Sequence, residues 1–333
     1  MVRTIFRRVE YMNVFNIIKN NFIRILQNKF YIINIILIIP TMIFIAIYFT
    51  GRLEIKANLA VVGANNLPIN SNSIKVNYIN KEPQLSDLVL NKYDAVIKSN
   101  DGVYEVITVK SHKFKENIEK LLKRESIDNV FSSENRGIGT NILGYLTMFI
   151  LLQGLMFFTL FYEERDKGIS KRVLSHPITT INYFLAHAIS CFLMIFLPIT
   201  TIILISINTL NLNTNISNIQ FIFIVGILCI LGSTFGLFIS SLVKSEDNGI
   251  LFGSMLLVMT TLISGSFFSI GSQGVIGKIG KILPQRKIVD YTIAIENNKT
   301  LDHRGLIMII LLSIILFMLA YIINNKKFKN GNF

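Results

Sequence analysis

The stretch from Glu163 to Pro177 reads Glu-Glu-Arg-Asp-Lys-Gly-Ile-Ser-Lys-Arg-Val-Leu-Ser-His-Pro, a charged island between two long apolar runs. Its acids, Glu163, Glu164 and Asp166, precede Lys171 and Arg172, with Arg165 and Lys167 among them. That order suits one short helix, because a helix dipole favours anions at its start and cations at its end. Gly168 permits a bend after the preceding run, and Pro177 stops a helix before the next one begins. Such residues can dock a charged partner surface. They also fit a solvated loop that keeps basic residues at one membrane face, and the residues alone leave both readings open.

Covalent, nucleotide or metal chemistry finds no comparable support. Gly271 to Lys278 has one residue too many between its glycines for a phosphate loop and lacks Ser or Thr after the lysine. The histidines His112, His176, His187 and His303 are scattered, with no partners at metal-ligand spacing. His187 reads as a packing or interface residue. No catalytic residue, bound cofactor or metal is expected on this chain.

The elements that position the island are membrane helices. With 51% hydrophobic and 16% charged residues, the composition exceeds what a soluble core needs. Windows at 30–50, 138–162, 181–210, 219–243, 248–270 and 305–324 each meet the requirement of roughly 20 apolar residues for a span, and none contains Asp, Glu, Lys or Arg. The first is too long, and preceded by too long a basic segment, for a cleaved signal peptide. Pro40 is a tolerated kink within it. Arg3, Arg7, Arg8, Lys19, Arg24 and Lys29, the basic residues of the island, Lys244, and Lys326, Lys327 and Lys329 of the tail 325–333 then fall on one side. The positive-inside rule makes that side, with both termini, cytoplasmic in a multi-pass cell-membrane protein, although 271–304 also carries several bases. The net charge of +13 reads as membrane-face anchoring plus a basic external domain, not nucleic-acid binding.

Residues 1–29 form a cytoplasmic or interfacial amphipathic segment. Phe15, Ile18, Phe22, Ile25 and Leu26 recur at helical spacing, so Phe15, Ile18, Phe22 and Leu26 are expected to lie on the lipid bilayer. Residues 51–137 read as a small α/β extracellular domain. Strands are expected at Leu59–Val62, Ile74–Ile79, Tyr93–Lys98 and Val103–Val109, with a hairpin turn at Ser99-Asn100-Asp101-Gly102 and an amphipathic helix over Phe114–Phe131. The fold class is therefore a polytopic α-helical membrane protein, six transmembrane helices with a small α/β extracellular domain between spans 1 and 2. Cys191 and Cys229 fall inside spans and read as core or lipid-facing apolar residues. Gly226, Gly232 and Gly236 with Ser233 and Ser240 give the fourth span a small-residue face, for packing within the chain or for a dimer seam.

Glu163-Glu164-Arg165-Asp166-Lys167-Gly168, Lys171-Arg172-Val173-Leu174-Ser175-His176-Pro177-Ile178 and Tyr183-Phe184-Leu185-Ala186-His187 resemble the cytoplasmic motif of ABC-2 type (type V exporter-like) ABC transporter permease subunits. The branch resembled has a large insertion after the first span. The resemblance extends to the amino-terminal helix and to Ser264-Gly265-Ser266-Phe267-Phe268, while Ser269 stands where relatives commonly have proline. It implies that 163–180 is a coupling segment whose Glu163, Glu164, Arg165, Lys167, Gly168, Arg172 and Pro177 dock a separate ABC ATPase. It also implies a second permease subunit, identical or paralogous, with ATP and Mg bound by the ATPase partner, and a re-entrant external segment within 271–304.

The spans themselves are consistent with an outside energy source. Ion-coupled carriers use buried charges near the midplane, whereas these spans offer polar groups such as Asn34, Gln153, Thr159, Thr200, Thr201, Ser254 and Thr260. The resulting expectation is export of an amphipathic or hydrophobic substrate: a drug, an antimicrobial peptide or a lipid-like molecule. The alternative is a membrane-anchored sensor or immunity protein that binds an external peptide. Six spans exceed what anchoring needs, and no large output domain accompanies them.

Overall fold

The computed structural model describes residues 14–51, 57–63, 67, 74–79, 83–89, 92–100, 103–109, 112–123, 136–175, 177–212, 214–267 and 275–330. Six helical stretches are long and apolar enough to cross a membrane: Lys29–Thr50, Ile138–Asp166, Thr180–Thr209, Asn218–Leu242, Glu246–Ser264 and Arg304–Lys329. They are called spans 1 to 6. Three ends differ from expectation by more than two residues, and one of them is that of span 6, which runs past residue 324 into the expected tail as far as Lys329. Span 2 continues past residue 162 to Asp166 and so carries Glu163, Glu164 and Arg165 with it. Span 5 stops at Ser264 because Gly265 takes a left-handed conformation (φ 69°, ψ 29°), a common way for a helix to end.

Spans 2 and 4 are the most buried. A methyl group on Gly154 would overlap the Gly232 carbonyl, and one on Gly236 would overlap that of Gly154. Small residues permit this approach, and van der Waals contact between backbones is a main source of helix association in lipid. Gly232 and Gly236 thus serve packing within the chain. Gly226 meets only the Phe196 ring, at 3.5 Å. Both cysteines are core residues, with Cys191 Sγ 3.8 Å from the Gly154 carbonyl oxygen.

Span 1 lies against span 2 through Tyr31, whose hydroxyl is 2.6 Å from Thr159 Oγ1 and whose ring stacks on Phe157. A π-helical turn, Asn34–Ile38, precedes Pro40. The missing proline N–H leaves the backbone pairing there open to rearrangement. Most hydroxyls within the spans turn back on their own helices. Thr200, Thr201, Ser254 and Thr260 donate to Phe196, Leu197, Leu251 and Leu256 carbonyls at 2.6 to 3.1 Å.

Residues 49–135 form a separate compact unit. Its sheet has the order β2-β1-β3-β4, from β1 (Ala57–Val62), β2 (Ile74–Tyr78), β3 (Ala95–Asn100) and β4 (Val103–Ile107). β1 pairs in parallel with β2 and β3, and β3 with β4 is the expected antiparallel hairpin. Its turn residues Asp101 and Gly102 lie outside the described residues. Helix His112–Leu122 buries Ile118, Leu121 and Leu122 on Leu59, Val61 and Ile97, as the periodicity predicts. The expected extension to Phe131 lies outside the described residues.

Gly154→Val should lower the thermal stability of the detergent-solubilised protein by about 1–3 kcal/mol, the usual cost of overpacking. Gly226→Ala should leave it near wild type. Equal stability of Gly154→Val and wild type in thermal unfolding would refute this close contact.

Candidate functional site

Span 2's helix is interrupted at Phe158, resumes over Thr159–Asp166 and ends at Lys167. Gly168 then adopts a left-handed conformation (φ 65°, ψ 14°) that strains residues with a side chain. A second short helix, Ile169–Leu174, follows. The island is therefore two helices and not the single helix with acids first and bases last expected from charge order. Lys171 and Arg172 do occupy the last turn of the second helix, where the dipole favours them. Glu163 and Glu164 instead sit at the carboxyl end of span 2, where the same dipole is unfavourable, and need partners from elsewhere.

Glu164 finds them inside the bundle. Its side chain is 4% exposed, and one carboxylate oxygen pairs with Arg24 Nη1 from helix Val14–Gln27. The other accepts from the Tyr183 hydroxyl of span 3 at 2.6 Å and lies 3.1 Å from His187 Nε2. Ser170 of the second island helix is 2.9 Å from the same Tyr183 hydroxyl. Because the phenol has one proton and donates it to the carboxylate, the serine donates to the phenol. Behind His187, Asn21 Nδ2 lies 3.4 Å from Nδ1 and donates to Ser190 Oγ at 3.2 Å. One carboxylate thus joins the amino-terminal helix, span 3 and, through Tyr183, the second island helix.

Arg165 turns the other way, towards span 4. Its guanidinium donates to the Ser240 carbonyl at 3.0 Å, the Val243 carbonyl at 3.3 Å and the Lys244 carbonyl, while stacking over the Tyr162 ring at 4.8 Å. Lys327 of span 6 adds a bond to the Ser241 carbonyl at 2.6 Å. The last carbonyls of a helix have no partner within it, and here two cations supply one. These contacts bring the amino-terminal helix, the island, the span 4–5 turn and the tail to one end of the bundle, as the placement of basic residues anticipated.

The seven residues expected to dock an ATPase therefore divide. Glu164 is buried and Arg165 is committed to span 4, so both anchor the segment. Glu163 is half-buried between Lys167 and Arg24, whose Nη2 lies 3.7 Å away. Lys167, Arg172 and Pro177 are exposed, as are Asp166, Lys171 and Ser175. Arg172 Nη2 reaches the Lys167 carbonyl at 3.5 Å and Gly168 joins the two halves. His176 lies outside the described residues. On the amino-terminal helix the expected stripe also divides. Ile18 and Phe22 pack partly on the core, whereas Phe15 and Leu26 are 68% and 59% exposed. Ile17, Asn21 and Ile25 form the buried face, so two adjacent apolar faces exist where one was expected.

Sequence reasoning missed the polar contacts at the opposite end of the bundle. Glu296, at the end of helix Pro284–Glu296, accepts the Gly139 and Thr140 amides at 2.8 and 3.1 Å and so caps span 2. A methyl on Gly137 or Gly139 would collide with that carboxylate. Arg136 donates to the Gly265 and Ser266 carbonyls at 2.5 and 3.1 Å, closing the end of span 5. The Gly137-Ile138-Gly139 pattern hints at close approach, but nothing local points to Glu296. This helix and helix Val275–Gly280 give structure to the segment expected to be re-entrant.

Removing one member of the Arg24–Glu164 pair should be far worse than removing both. Glu164→Leu is expected to destabilise by about 3–5 kcal/mol, and adding Arg24→Met should recover at least half of that. A double-mutant cycle of thermal unfolding showing simple additivity would refute the pairing. Glu296→Ala should cost about 1–2 kcal/mol through the uncapped helix, read in the same assay.

No metal-binding group of three or more His, Cys, Asp or Glu occurs among the described residues. No curated protein matches the chain. The family model for the ABC-2 type transporter matches residues 118–297, more than half of the 333 residues. That region contains spans 2 to 5, the island and the Glu296 helix. A polytopic helical bundle with the island between spans 2 and 3 agrees with that match, and the chain belongs to the ABC-2 type transporter family as a membrane permease subunit of an ABC transporter.

Proposed function

We propose that this permease exports an amphipathic or hydrophobic substrate, a drug, an antimicrobial peptide or a lipid-like molecule, driven by a separate ABC ATPase docked on the island. Family membership implies such an ATPase. The observation that carries the docking assignment is the island's division into a buried root and an exposed face. Glu164 and Arg165 fix the root, while Asp166, Lys167, Lys171, Arg172 and Pro177 point outward. A loop serving only charge bias has no need of such a root.

In this reading the island, both termini and the amino-terminal helix are cytoplasmic, and the α/β domain lies outside a cell membrane. The ATPase binds ATP and Mg, and its closure moves the exposed face. Two permease subunits, identical or paralogous, flank the path. An apolar cargo is supported by the spans' own chemistry. Their hydroxyls are mostly taken up by carbonyls of the same helix, and Leu251, Met255 and Met259 project from span 5 at 67%, 65% and 56% exposure.

Reversing both exposed cations, Lys171→Glu with Arg172→Glu, should weaken capture of the co-expressed ATPase by at least about tenfold, equivalent to 1.4 kcal/mol. The variant should remain in the membrane at wild-type abundance. Undiminished ATPase capture and ATP-dependent transport by this variant would overturn docking at the island.

A further inference from the structure

Asn28 breaks the chain between the amino-terminal helix and span 1. Its backbone is extended (φ −93°, ψ 117°) and its side chain accepts the Phe30 amide at 3.0 Å. The bend leaves a cleft of about 460 Å³ lined by Arg24, Gln27, Asn28, Lys29, Leu160 and Glu163. The acids at its base are already matched, since Arg24 pairs with Glu164 and Glu163, and Lys167 pairs with Glu163. Lys29 is exposed and makes no ion pair or hydrogen bond through its ammonium among the described residues. A positive charge is therefore left over at the mouth.

Leu26, Phe30 and Ile33, which flank Lys29 in the sequence and are called the rim, stand 59%, 47% and 53% exposed. The wider segment repeats the bias, with Arg3, Arg7, Arg8, Lys19, Arg24 and Lys29 against Glu10 alone in residues 1–29. A soluble anion would use the charge and leave the apolar rim in water. An acidic protein surface would bury apolar side chains against its own charges. An anionic lipid satisfies both, with its phosphate at the lysine and its acyl chain along the rim.

We propose that this cleft seats the phosphate-bearing headgroup of an anionic phospholipid. Lys29 is the principal charge contact, the Gln27 and Asn28 amides lie beside it, and Leu26, Phe30 and Ile33 lie along the acyl chain. The assignment is independent of cargo and transport direction, because it concerns the lipid surrounding the protein.

The chain has no tryptophan, so Phe30→Trp places a single fluorophore on the rim. The full-length protein carrying it is reconstituted in vesicles of phosphatidylcholine and phosphatidylglycerol, with either lipid dibrominated in turn to quench the fluorescence. At this position phosphatidylglycerol should be preferred about fivefold. Lys29→Gln in the same background should bring the preference close to parity, and Lys29→Arg should keep it. Ile310→Trp, exposed on span 6, should report near parity. Equal quenching by the two lipids at Phe30→Trp overturns the proposal even if a lysine variant fails to fold. So does a preference that survives Lys29→Gln. Relief of phosphatidylglycerol quenching by inorganic phosphate would assign the site to a soluble anion and overturn the lipid.

Discussion

The Glu164 carboxylate is the constraint around which one end of this molecule is arranged. An ionised carboxylate leaving water at the foot of an apolar helix pays a large desolvation cost unless hydrogen bonds and an opposite charge replace its hydration. Arg24, Tyr183 and His187 surround it, each from outside span 2. The amino-terminal helix cannot drift from span 3 without exposing Arg24 and Glu164 to an apolar surrounding, and Ser170 cannot leave without stripping a bond from Tyr183. Aromatic packing fills the space between: Phe161 lies 5.5 Å from the His187 ring and 5.8 Å from Phe184.

The same physics recurs wherever a span ends. A helix finishing near hydrocarbon has carbonyls or amides without intrahelical partners, and the cost of leaving them unpaired is higher there than in water. Arg165 and Lys327 close the end of span 4, Arg136 that of span 5, and Glu296 the start of span 2. Cations meet carbonyl ends and the anion meets an amide end, so each cap also complements a helix dipole. Each cap comes from another element, which makes it a tertiary bond as well as a local one. Charges flanking the spans therefore help to hold the bundle together.

Much of this was legible from periodicity and composition. The six spans, the hairpin β3–β4 and the Ile118, Leu121 and Leu122 face follow from one-dimensional patterns, because apolar length and spacing report local burial directly. What escaped depended on three-dimensional pairing. Gly168 was visible as a bend, yet the helix containing Glu163 and Glu164 runs on from span 2, since partners distant in sequence offset the adverse dipole. Phe15, Ile18, Phe22 and Leu26 were visible as one stripe. Which of them face the protein depended on Asn21 meeting His187 and Ser190 of span 3, a contact that the helix pattern alone does not encode. Glu296 gave no local signal at all, because its role is defined by amides far away in the chain.

The division of the island bears on how force would cross it in the proposed docking arrangement. A load applied at Lys171 or Arg172 acts on a helix of only six residues, Ile169–Leu174, too short to absorb it by bending. The left-handed residue at Gly168, beside which a methyl would meet nothing within 4 Å, is the sterically open joint. Rotation there meets little side-chain resistance but pulls on Ser170, which bonds Tyr183, which in turn bonds Glu164. The load thus reaches Arg24 and the amino-terminal helix through hydrogen bonds and ion pairs, whose geometry is directional and whose rupture is costly when buried. Arg165 resists motion on the other side, because moving it uncaps span 4. The island therefore suits transmission of displacement toward span 3 and the amino-terminal helix, with span 4 as the fixed support.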